Sequence, residues 1–179
     1  MNSNKAISRS DEQSHFRAVV EKYQRRVYGI VRKMVIDHDD ADDIVQEVFI
    51  KVWNNRNKFE GKSEIFTWIY RIAVNESLQF LRKQKKRSLF SFGLDHHLVG
   101  KLDSSMGPDA DEIERSLQKA LLSLPDKQRA VFHMRYYDEL TYEQMAEVLG
   151  GSVGSLKASY HHASKKVEKY LTSSLNQIQ

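Results

Sequence analysis

The stretch Lys58–Arg87 constrains the fold more than any other part of the chain, because it is long, uninterrupted and two-faced. No proline or glycine follows Ser63 until Gly93, so a helix of about 24 residues, roughly 36 Å long, is predicted from Ser63 onward. The Ser63 hydroxyl can cap this helix by accepting backbone N–H bonds. Apolar side chains recur at three- and four-residue steps and predict a packing face: Ile65, Ile69, Ile72, Ala73, Val74, Leu78 and Leu81.

Polar side chains follow another strip of the same helix. Arg71, Asn75 and Arg82 lie on it, with Glu64 and Gln79 beside them. Such a strip can hold phosphates and base edges, and its phosphate contacts should weaken with salt. The alternative is a solvated helix end, since cations suit the negative pole of a helix dipole whatever the function. The basic run at this end consists of Arg82, Lys83, Lys85, Lys86 and Arg87.

Composition bounds the remaining possibilities. The 179 residues, 40% hydrophobic and 29% charged, suit two small domains that each bury a modest core. No apolar run approaches the roughly 18 residues of a membrane span, and the N-terminal sequence MNSNKAISRS lacks the apolar segment of a signal peptide. The absence of cysteine excludes disulfides and thiolate metal sites. We therefore expect a cytoplasmic protein without direct membrane insertion.

Helical spacing of apolar residues dominates both halves of the chain. A first helix is predicted to run to about Met34. A second set of helices begins near Glu112, with Ile113 on its first packing face and a turn at Pro125. Between the two sets, residues 88–111 form a predicted flexible linker, because glycines and Pro108 break any periodicity. The sequence thus predicts an all-α fold with two small helical domains, residues 10–87 and 112–175.

The segment Asp37–Glu47, DHDDADDIVQE, contains six carboxylates and no lysine or arginine. It leads into a helix whose exposed side carries Asp39, Asp43, Gln46 and Ile50. Three interpretations remain open. The segment is a solvated acidic first turn, a calcium loop that lacks the EF-hand glycine, or a docking surface for a basic partner helix. The opposite side is a wide apolar stripe of Ile44, Val45, Val48, Phe49, Val52 and Trp53.

Two further features have alternative interpretations. Phe59 is the apolar exception in a polar loop, where it can stack on an unpaired base or fold back as a local staple. In the second half, Thr141 with Gln144 forms a capping box, and the Gly150–Gly151 pair precedes a last helix that starts near Ser152. These are ingredients of a helix-turn-helix, although an antiparallel helix pair that only packs has them too. The inward face predicted for the short helix is Tyr142, Met145, Ala146 and Leu149.

Three successive segments, DDADDIVQEVFIKVW, KFEGKSEIF and TWIYRIAVNESLQFLRKQKKR, together resemble region two of the extracytoplasmic-function sigma factors, which are bacterial transcription initiation factors. In that family the acidic helix docks on a coiled coil of the largest polymerase subunit, and the loop and following helix capture the separated non-template strand of the minus-ten element. The resemblance implies that the residues binding core polymerase are Asp42, Asp43, Gln46, Glu47 and Ile50. The implied minus-ten DNA-binding residues are Phe59, Gly61, Lys62, Ser63, Trp68, Arg71, Asn75, Arg82, Lys83, Lys85, Lys86 and Arg87.

The segment LPDKQRAVFHMRYYDELTYEQMAEVLGGSVGSLKASYHHASKKVEKYL resembles region four of the same family, a helix-turn-helix that binds the minus-thirty-five element in the major groove. The chain departs from the family at Ser159, His162 and Ser164, where arginines are common, so bidentate guanine contacts from these positions are absent. Recognition is expected to rest more on DNA shape and backbone contacts. The implied minus-thirty-five DNA-binding residues are Arg135, Thr141, Ser152, Ser155, Lys157, Ala158, Ser159, His161, His162 and Lys165.

The resemblance implies an alternative bacterial sigma factor that binds core RNA polymerase and directs promoter recognition, DNA melting and transcription initiation. Flipping a base out of the duplex costs a few kcal/mol, and the chain contains no nucleotide-hydrolysis motif, so binding must supply this energy. We expect no catalytic residues, no cofactor and no small-molecule substrate. We also expect no metal site, since His96 and His97 are adjacent and no Asp, His or Cys cluster surrounds them.

The expected partners are core RNA polymerase, promoter DNA and an anti-sigma factor. The alternative function is a stand-alone helix-turn-helix transcriptional regulator that binds duplex DNA by itself. The acidic helix and the aromatic loop discriminate between the two, because an ordinary repressor needs neither a docking surface for polymerase nor a pocket for an unpaired base.

Overall fold

The computed structural model describes residues 9–88 and 112–175, and every regular element within these ranges is a helix, so the all-α prediction is confirmed. The predicted linker, including His96 and His97, lies outside the described residues except for Ser88. None of the described helices is long and apolar enough to cross a membrane. The helices are α1 (Arg9–Val35), α2 (His38–Asn55), α3 (Ile65–Ser88), α4 (Glu112–Leu122), α5 (Asp126–Tyr136), α6 (Tyr142–Leu149) and α7 (Val153–Leu175), with a 3₁₀ turn at Arg56–Lys58.

Helices α1, α2 and α3 form a three-helix bundle, called here the first module. A sharp reversal joins α1 to α2, with Ile36 at φ 64°. The Asp37 carboxylate then caps α2 by accepting the backbone N–H groups of Asp39 and Asp40 at 3.0 and 3.1 Å. Because this cap satisfies two otherwise unpaired donors, the acidic segment begins α2 instead of extending the loop.

The 24 residues of α3 match the predicted length, and its predicted packing face is buried or half-buried. The helix begins at Ile65, and the Glu64 carbonyl accepts the bond from the Trp68 N–H at 3.2 Å. Glu64 therefore occupies the N-cap position, and the prediction that Ser63 caps α3 is wrong. The bundle also buries Ser77, whose hydroxyl donates to the Ala73 carbonyl at 2.9 Å, so the polar group is satisfied within the helix.

Helices α4 to α7 form the second module, with the predicted boundaries at Pro125 and Thr141. The capping box is confirmed, because the Thr141 hydroxyl accepts the Gln144 N–H at 3.2 Å and the Gln144 side chain accepts the Thr141 N–H at 2.8 Å. Gly150 at φ 71° and Gly151 at φ 92° make the tight turn into α7. Ile113 is 57% exposed, so its predicted place on the packing face of α4 is wrong, and that face begins at Leu117 instead.

The two modules pack directly on one another. Five side chains of α5 and α6 belong to the same apolar cluster as the core of α1, α2 and α3: Ala130, Val131, Met134, Met145 and Val148. Val148 is 2% exposed although the predicted inward face of α6 omits it, because α6 is covered by α7 on one side and by α3 on another. A smaller cluster around Leu121, Phe132 and Ala163 belongs to the second module alone.

Candidate polymerase and nucleic-acid interfaces

The acidic side of α2 faces solvent. Asp42, Asp43, Gln46 and Glu47 are exposed, and Ile50 has 53% of its surface exposed, while Val48 and Phe49 on the opposite side are buried. The dipole of α2 favours carboxylates only in its first turn, which ends near Ala41. A solvated first turn therefore accounts for Asp39 and Asp40 but leaves the carboxylates one and two turns further along without an explanation, which favours the docking interpretation.

A groove of about 560 Å³ runs between this acidic side and α3. Its walls include Asp43 and Glu47 from α2 and Glu76, Phe80 and Lys83 from α3. The structure therefore separates Lys83 from the other cations with which the sequence had grouped it. Glu76 and Phe80 were missed as surface candidates, although their spacing with Lys83 at three and four residues could have placed them on one side of the helix.

A second groove, of about 750 Å³, runs between α1 and α2 and is largely apolar. It is lined by Phe16, Val20, Phe49 and Trp53, and the rings of Phe16 and Trp53 lie 4.9 Å apart. Ile50 lines both grooves and forms the ridge between them. Ile50 and the apolar lining of the second groove together form one partly exposed apolar patch, and contiguous patches of this kind mark protein contact surfaces.

The loop before α3 places two aromatic rings side by side. The ring centroids of Phe59 and Trp68 lie 5.3 Å apart, and both side chains are half-buried. The turn between them requires Gly61, which has φ 69°. Phe59 thus packs locally, as one of its two interpretations has it, and keeps part of its ring accessible. Lys62 forms an ion pair with Glu60 at the rim of this loop.

The predicted basic strip is continuous on the surface of α3. Arg71, Asn75, Arg82 and Lys86 are all exposed and follow one side of the helix below Trp68. Lys85 is also exposed but donates to the Asp126 carboxylate of α5 at 2.9 Å. Arg87 lies within α3, and its side chain is outside the described part of the structure. One side of the first module thus combines a pair of aromatic rings with a row of cations.

The N-terminal half of α7 presents small and basic side chains. The Ser152 hydroxyl accepts the Ser155 N–H at 3.1 Å, and the Ser155 hydroxyl donates to the Ser152 carbonyl at 2.7 Å, so both serines order the start of the helix. Lys157 lies over the ring of Tyr142, 5.6 Å from its centroid. Exposed residues among those predicted to contact the minus-thirty-five element are Thr141, Ser152, Ser155, Lys157, Ala158, His161, His162 and Lys165, while Ser159 is half-buried.

Arg135 has a structural task that the sequence did not suggest. Its guanidinium donates to the Leu140 carbonyl at 3.1 Å and lies 5.5 Å from the ring centroid of Tyr142. These contacts hold the turn between α5 and α6, and the side chain is half-buried. A contact from Arg135 to the DNA backbone stays a prediction.

Comparison with known families matches each of the two modules to a region of the sigma-70 factors. Sigma-70 region 2 matches residues 19–87, and sigma-70 region 4 matches residues 114–167. The RNA polymerase sigma-H factor of Pseudomonas aeruginosa is 30% identical to the chain over 174 residues, which cover 92% of the chain and 90% of the relative. The ECF RNA polymerase sigma factor SigW of Bacillus subtilis is 29% identical over 180 residues, covering 93% and 94%.

Two solved structures have the same fold. The sigma factor RpoE of Bartonella quintana, in complex with the anti-sigma factor NepR, matches with a TM-score of 0.65 at 20% identity, covering 88% of this chain and 97% of that one. CnrH, in complex with the cytosolic domain of CnrY, matches with a TM-score of 0.63 at 22% identity, covering 90% of each chain. At these identities the likeness establishes the architecture of the two modules.

Proposed function

This chain belongs to the extracytoplasmic-function (ECF) RNA polymerase sigma factors, and from that membership we propose a division of labour among its surfaces. As a sigma factor it binds core RNA polymerase and recognises promoters. The observation that supports the division best is that the exposed acidic side of α2 and the exposed cationic strip of α3 belong to one three-helix bundle. One rigid body can then hold polymerase and DNA together.

The acidic side of α2 binds core polymerase. Asp42, Asp43 and Glu47 steer a basic partner helix toward the surface, and Ile50 supplies the apolar centre of the contact. Gln46 lies between the carboxylates and Ile50 and can hydrogen-bond the partner. Charged groups at the rim of an interface mainly set specificity and the association rate, so burial of Ile50 should contribute most of the affinity.

The loop and α3 bind the minus-ten element in its melted form. Phe59 and Trp68 offer ring faces to an extruded base, and each stacked base contributes about 1–3 kcal/mol. This energy stabilises only the open strand, because a paired base cannot reach the rings. Cations of α3 hold the phosphates without reading sequence. The remaining residues predicted for this surface are Gly61, Lys62, Ser63, Arg71, Asn75, Arg82, Lys83, Lys85, Lys86 and Arg87, of which Lys83 lies in the groove beside α2.

The second module binds the minus-thirty-five element with α7 in the major groove. Lys157 and Lys165 contact phosphates, and Ser155, His161 and His162 face the groove or its edges. Since no arginine replaces Ser159, recognition depends on DNA shape and positioning more than on bidentate base contacts. The domain boundaries proposed for this division are residues 10–87 and 112–175, joined by the linker 88–111.

The proposed setting is the cytoplasm, with no catalytic activity in the sigma factor itself. The two solved structures described above are complexes with a second protein, named as an anti-sigma factor in one of them. An anti-sigma factor is therefore a third proposed partner. It would act by covering surfaces that polymerase or DNA must reach.

Core binding by native gel, followed by run-off transcription from a pool of promoter fragments, tests the proposal. The Asp43→Lys, Glu47→Lys double variant should lose both, because it reverses the charge of the docking surface. A matched control is Glu143→Lys with Glu147→Lys, which makes the same charge change at the same spacing on exposed positions of α6. The control should keep core binding. Tight duplex binding by the wild type without core, together with no transcription, would identify a stand-alone regulator instead.

A further inference from the structure

The groove between α2 and α3 has two walls of unlike charge. Asp43 and Glu47, one turn apart, are exposed on the α2 wall, and Lys83 is exposed on the α3 wall. Within residues 9–88 and 112–175, none of these three side chains has an ion-pair partner. The groove therefore offers two carboxylates on one side and an ammonium group on the other.

The other two charged side chains of the groove neutralise each other. Lys51 of α2 donates to the Glu76 carboxylate of α3, and this ion pair joins the two walls at one end of the groove. Asp43 lies eight positions before Lys51, and Lys83 lies seven positions after Glu76. Because both of these residues also line the groove, the two helices run antiparallel along it, and each extends about 11 Å from the ion pair. Asp43 and Lys83 thus stand on opposite walls at the other end.

Apolar side chains lie between these charged groups. Phe80 is half-buried, packs against the core of the first module and lines the groove. Ile50 lines the same groove from α2, with 53% of its surface exposed. An apolar strip two helical turns long accepts the apolar edge of an amphipathic helix, and a ring of this kind serves as its anchor. The groove therefore fits a helix with an apolar edge, a basic flank toward α2 and an acidic flank toward α3.

Lys83 is poorly placed to bind DNA. It follows Arg82 by one residue, so it is turned by about 100° around α3 from that member of the cationic strip. Asp43 and Glu47 share its groove and repel a phosphate. A partner that carried only basic groups would in turn be repelled by Lys83, and an ammonium group covered by a partner needs an acceptor. Lys83 therefore favours a protein partner with a carboxylate on the flank that meets α3.

We propose that core polymerase lays an amphipathic helix in this groove, with Phe80 as the apolar anchor and Lys83 as the residue that fixes the orientation of the helix. The inference rests on the proposed function of α2, whose Asp43, Glu47 and Ile50 line the same groove. Opposite charges on the two walls permit one orientation, because exchanging the flanks of the partner helix brings like charges together. One cation of the run that the sequence assigned to DNA thus serves polymerase instead.

Titration of the N-terminally labelled full chain with core polymerase, followed by fluorescence anisotropy, tests the role of Lys83. Lys83→Glu should bind core roughly tenfold more weakly, because it places a carboxylate against the acidic flank of the partner. A partner with basic groups alone would bind this variant more tightly, since the groove gains negative charge. The matched control Arg82→Glu makes the same charge change on the adjacent exposed residue. It should keep the affinity for core and weaken binding of a single-stranded minus-ten oligonucleotide to the polymerase complex.

Phe80 is tested in the same titration. Phe80→Ala should weaken core binding roughly tenfold, and Phe80→Leu, which keeps an apolar side chain in the groove, should recover most of the affinity. Urea unfolding of both variants separates a lost contact from a lost fold, because Phe80 also packs against the core.

Two results would overturn the inference: unchanged or tighter core binding by Lys83→Glu, or wild-type affinity in Phe80→Ala. If the Asp43→Lys, Glu47→Lys variant still loses core binding in that case, polymerase docks on α2 alone and the proposed function stands. Failure of the wild type to bind core would contradict both the inference and the proposed function.

Discussion

The two modules build their interiors in different ways. The first module buries apolar side chains and one serine, Ser77, whose hydroxyl is satisfied by the Ala73 carbonyl. The second module buries Arg129 and His133, and three of their nitrogen atoms have no hydrogen-bond partner among the described residues. Such groups cost about 1–3 kcal/mol each when unpaired. The comparison indicates that, among the described residues, the interior of the second module is less completely hydrogen-bonded than that of the first.

The modules also depend on each other unequally. Met145 and Val148 of α6 complete the apolar cluster of the first module, whereas Leu121 and Phe132 lie in a cluster of the second module only. Truncating a side chain of the shared cluster should therefore destabilise both modules. Truncating one of the second cluster should destabilise mainly the second module. Both tryptophans, Trp53 and Trp68, lie in the first module, so their fluorescence reports on that module while circular dichroism reports on all helices.

The largest expected effect comes from truncating the shared core. Ile69 is fully buried at 0% exposure, and Ile69→Ala should reduce the free energy of unfolding by roughly 2–5 kcal/mol, through lost burial and the cavity left behind. The tryptophan and circular dichroism transitions should shift together in urea. Leu121→Ala, at 1% exposure in the separate cluster, should shift mainly the circular dichroism transition. Equal shifts of the tryptophan transition in both variants would show that the two clusters behave as one.

Much of this architecture could be predicted from the sequence because it depends on near neighbours. Helical periodicity, the cap at Thr141 and the glycine turn all arise from residues within a few positions of one another. The junction could not be predicted in this way. Asp138 contacts Tyr70 and Lys33 across 68 and 105 positions, and nothing local distinguishes it from a solvated carboxylate in a turn.

In the candidate sites too, features within one helix could be predicted and contacts between helices could not. Most of the predicted residues of α2, α3 and α7 are exposed, while Trp68 and Ser159 are half-buried. Exposure of this kind can be predicted because one helix fixes which of its own residues share a side. The groove that brings Lys83 to Asp43, and the use of Arg135 to hold a turn, depend on how separate helices meet. Periodicity within one helix carries no information about that.

Acid should destabilise the second module through His133, an effect of about 2–3 kcal/mol over two pH units. Burial, with added repulsion from Arg129 and Lys33, lowers the pKa of His133 to about 3. At pH values between about 3 and the ordinary pKa of about 6.5, His133 is protonated in the unfolded chain and neutral in the folded chain. The stability contribution is thus complete above about pH 6.5 and is lost progressively as the pH falls.

His133→Leu should remove this part of the pH dependence, as measured by urea unfolding at pH 6.5, 5.5 and 4.5. Carboxylates also titrate in this range, but they are common to both proteins and cancel in the difference. Ser77→Ala supplies the matched control from the first module, where the buried polar group does not titrate. Parallel stability profiles for wild type and His133→Leu would mean that the histidine finds a proton acceptor or water on acidification.

The two modules should also differ in which form of DNA each one binds. Phe59→Ala should weaken binding of a single-stranded minus-ten oligonucleotide to the polymerase complex by about 1–3 kcal/mol, and leave binding of duplex minus-thirty-five DNA unchanged. Lys157→Ala should weaken binding of duplex minus-thirty-five DNA and leave binding of the single-stranded oligonucleotide unchanged. It should also lower the salt dependence of duplex binding by about one phosphate contact. Filter binding at several salt concentrations measures both. Loss of single-stranded binding in Lys157→Ala would contradict the assignment of separate surfaces.

The smallest expected effects come from the helix caps, one in each module. The Asp37 carboxylate accepts two backbone N–H groups, whereas the Thr141 hydroxyl accepts one and Gln144 returns a bond to the Thr141 N–H. Replacing either Asp37 or Thr141 by alanine should cost about 0.5–2 kcal/mol, with Asp37→Ala at the upper end because it leaves two donors unpaired. Urea unfolding followed by tryptophan fluorescence and circular dichroism measures both variants.

The pattern of shifts is more informative than their size. Asp37→Ala should shift the tryptophan transition, because α2 carries Trp53 and packs against α1 and α3. Thr141→Ala should shift mainly the circular dichroism transition, and Thr141→Ser, which keeps the acceptor oxygen, should restore it. If Thr141→Ala shifts the tryptophan transition equally, α6 is as necessary to the first module as α3 is, and the second module is then a structural part of the three-helix bundle.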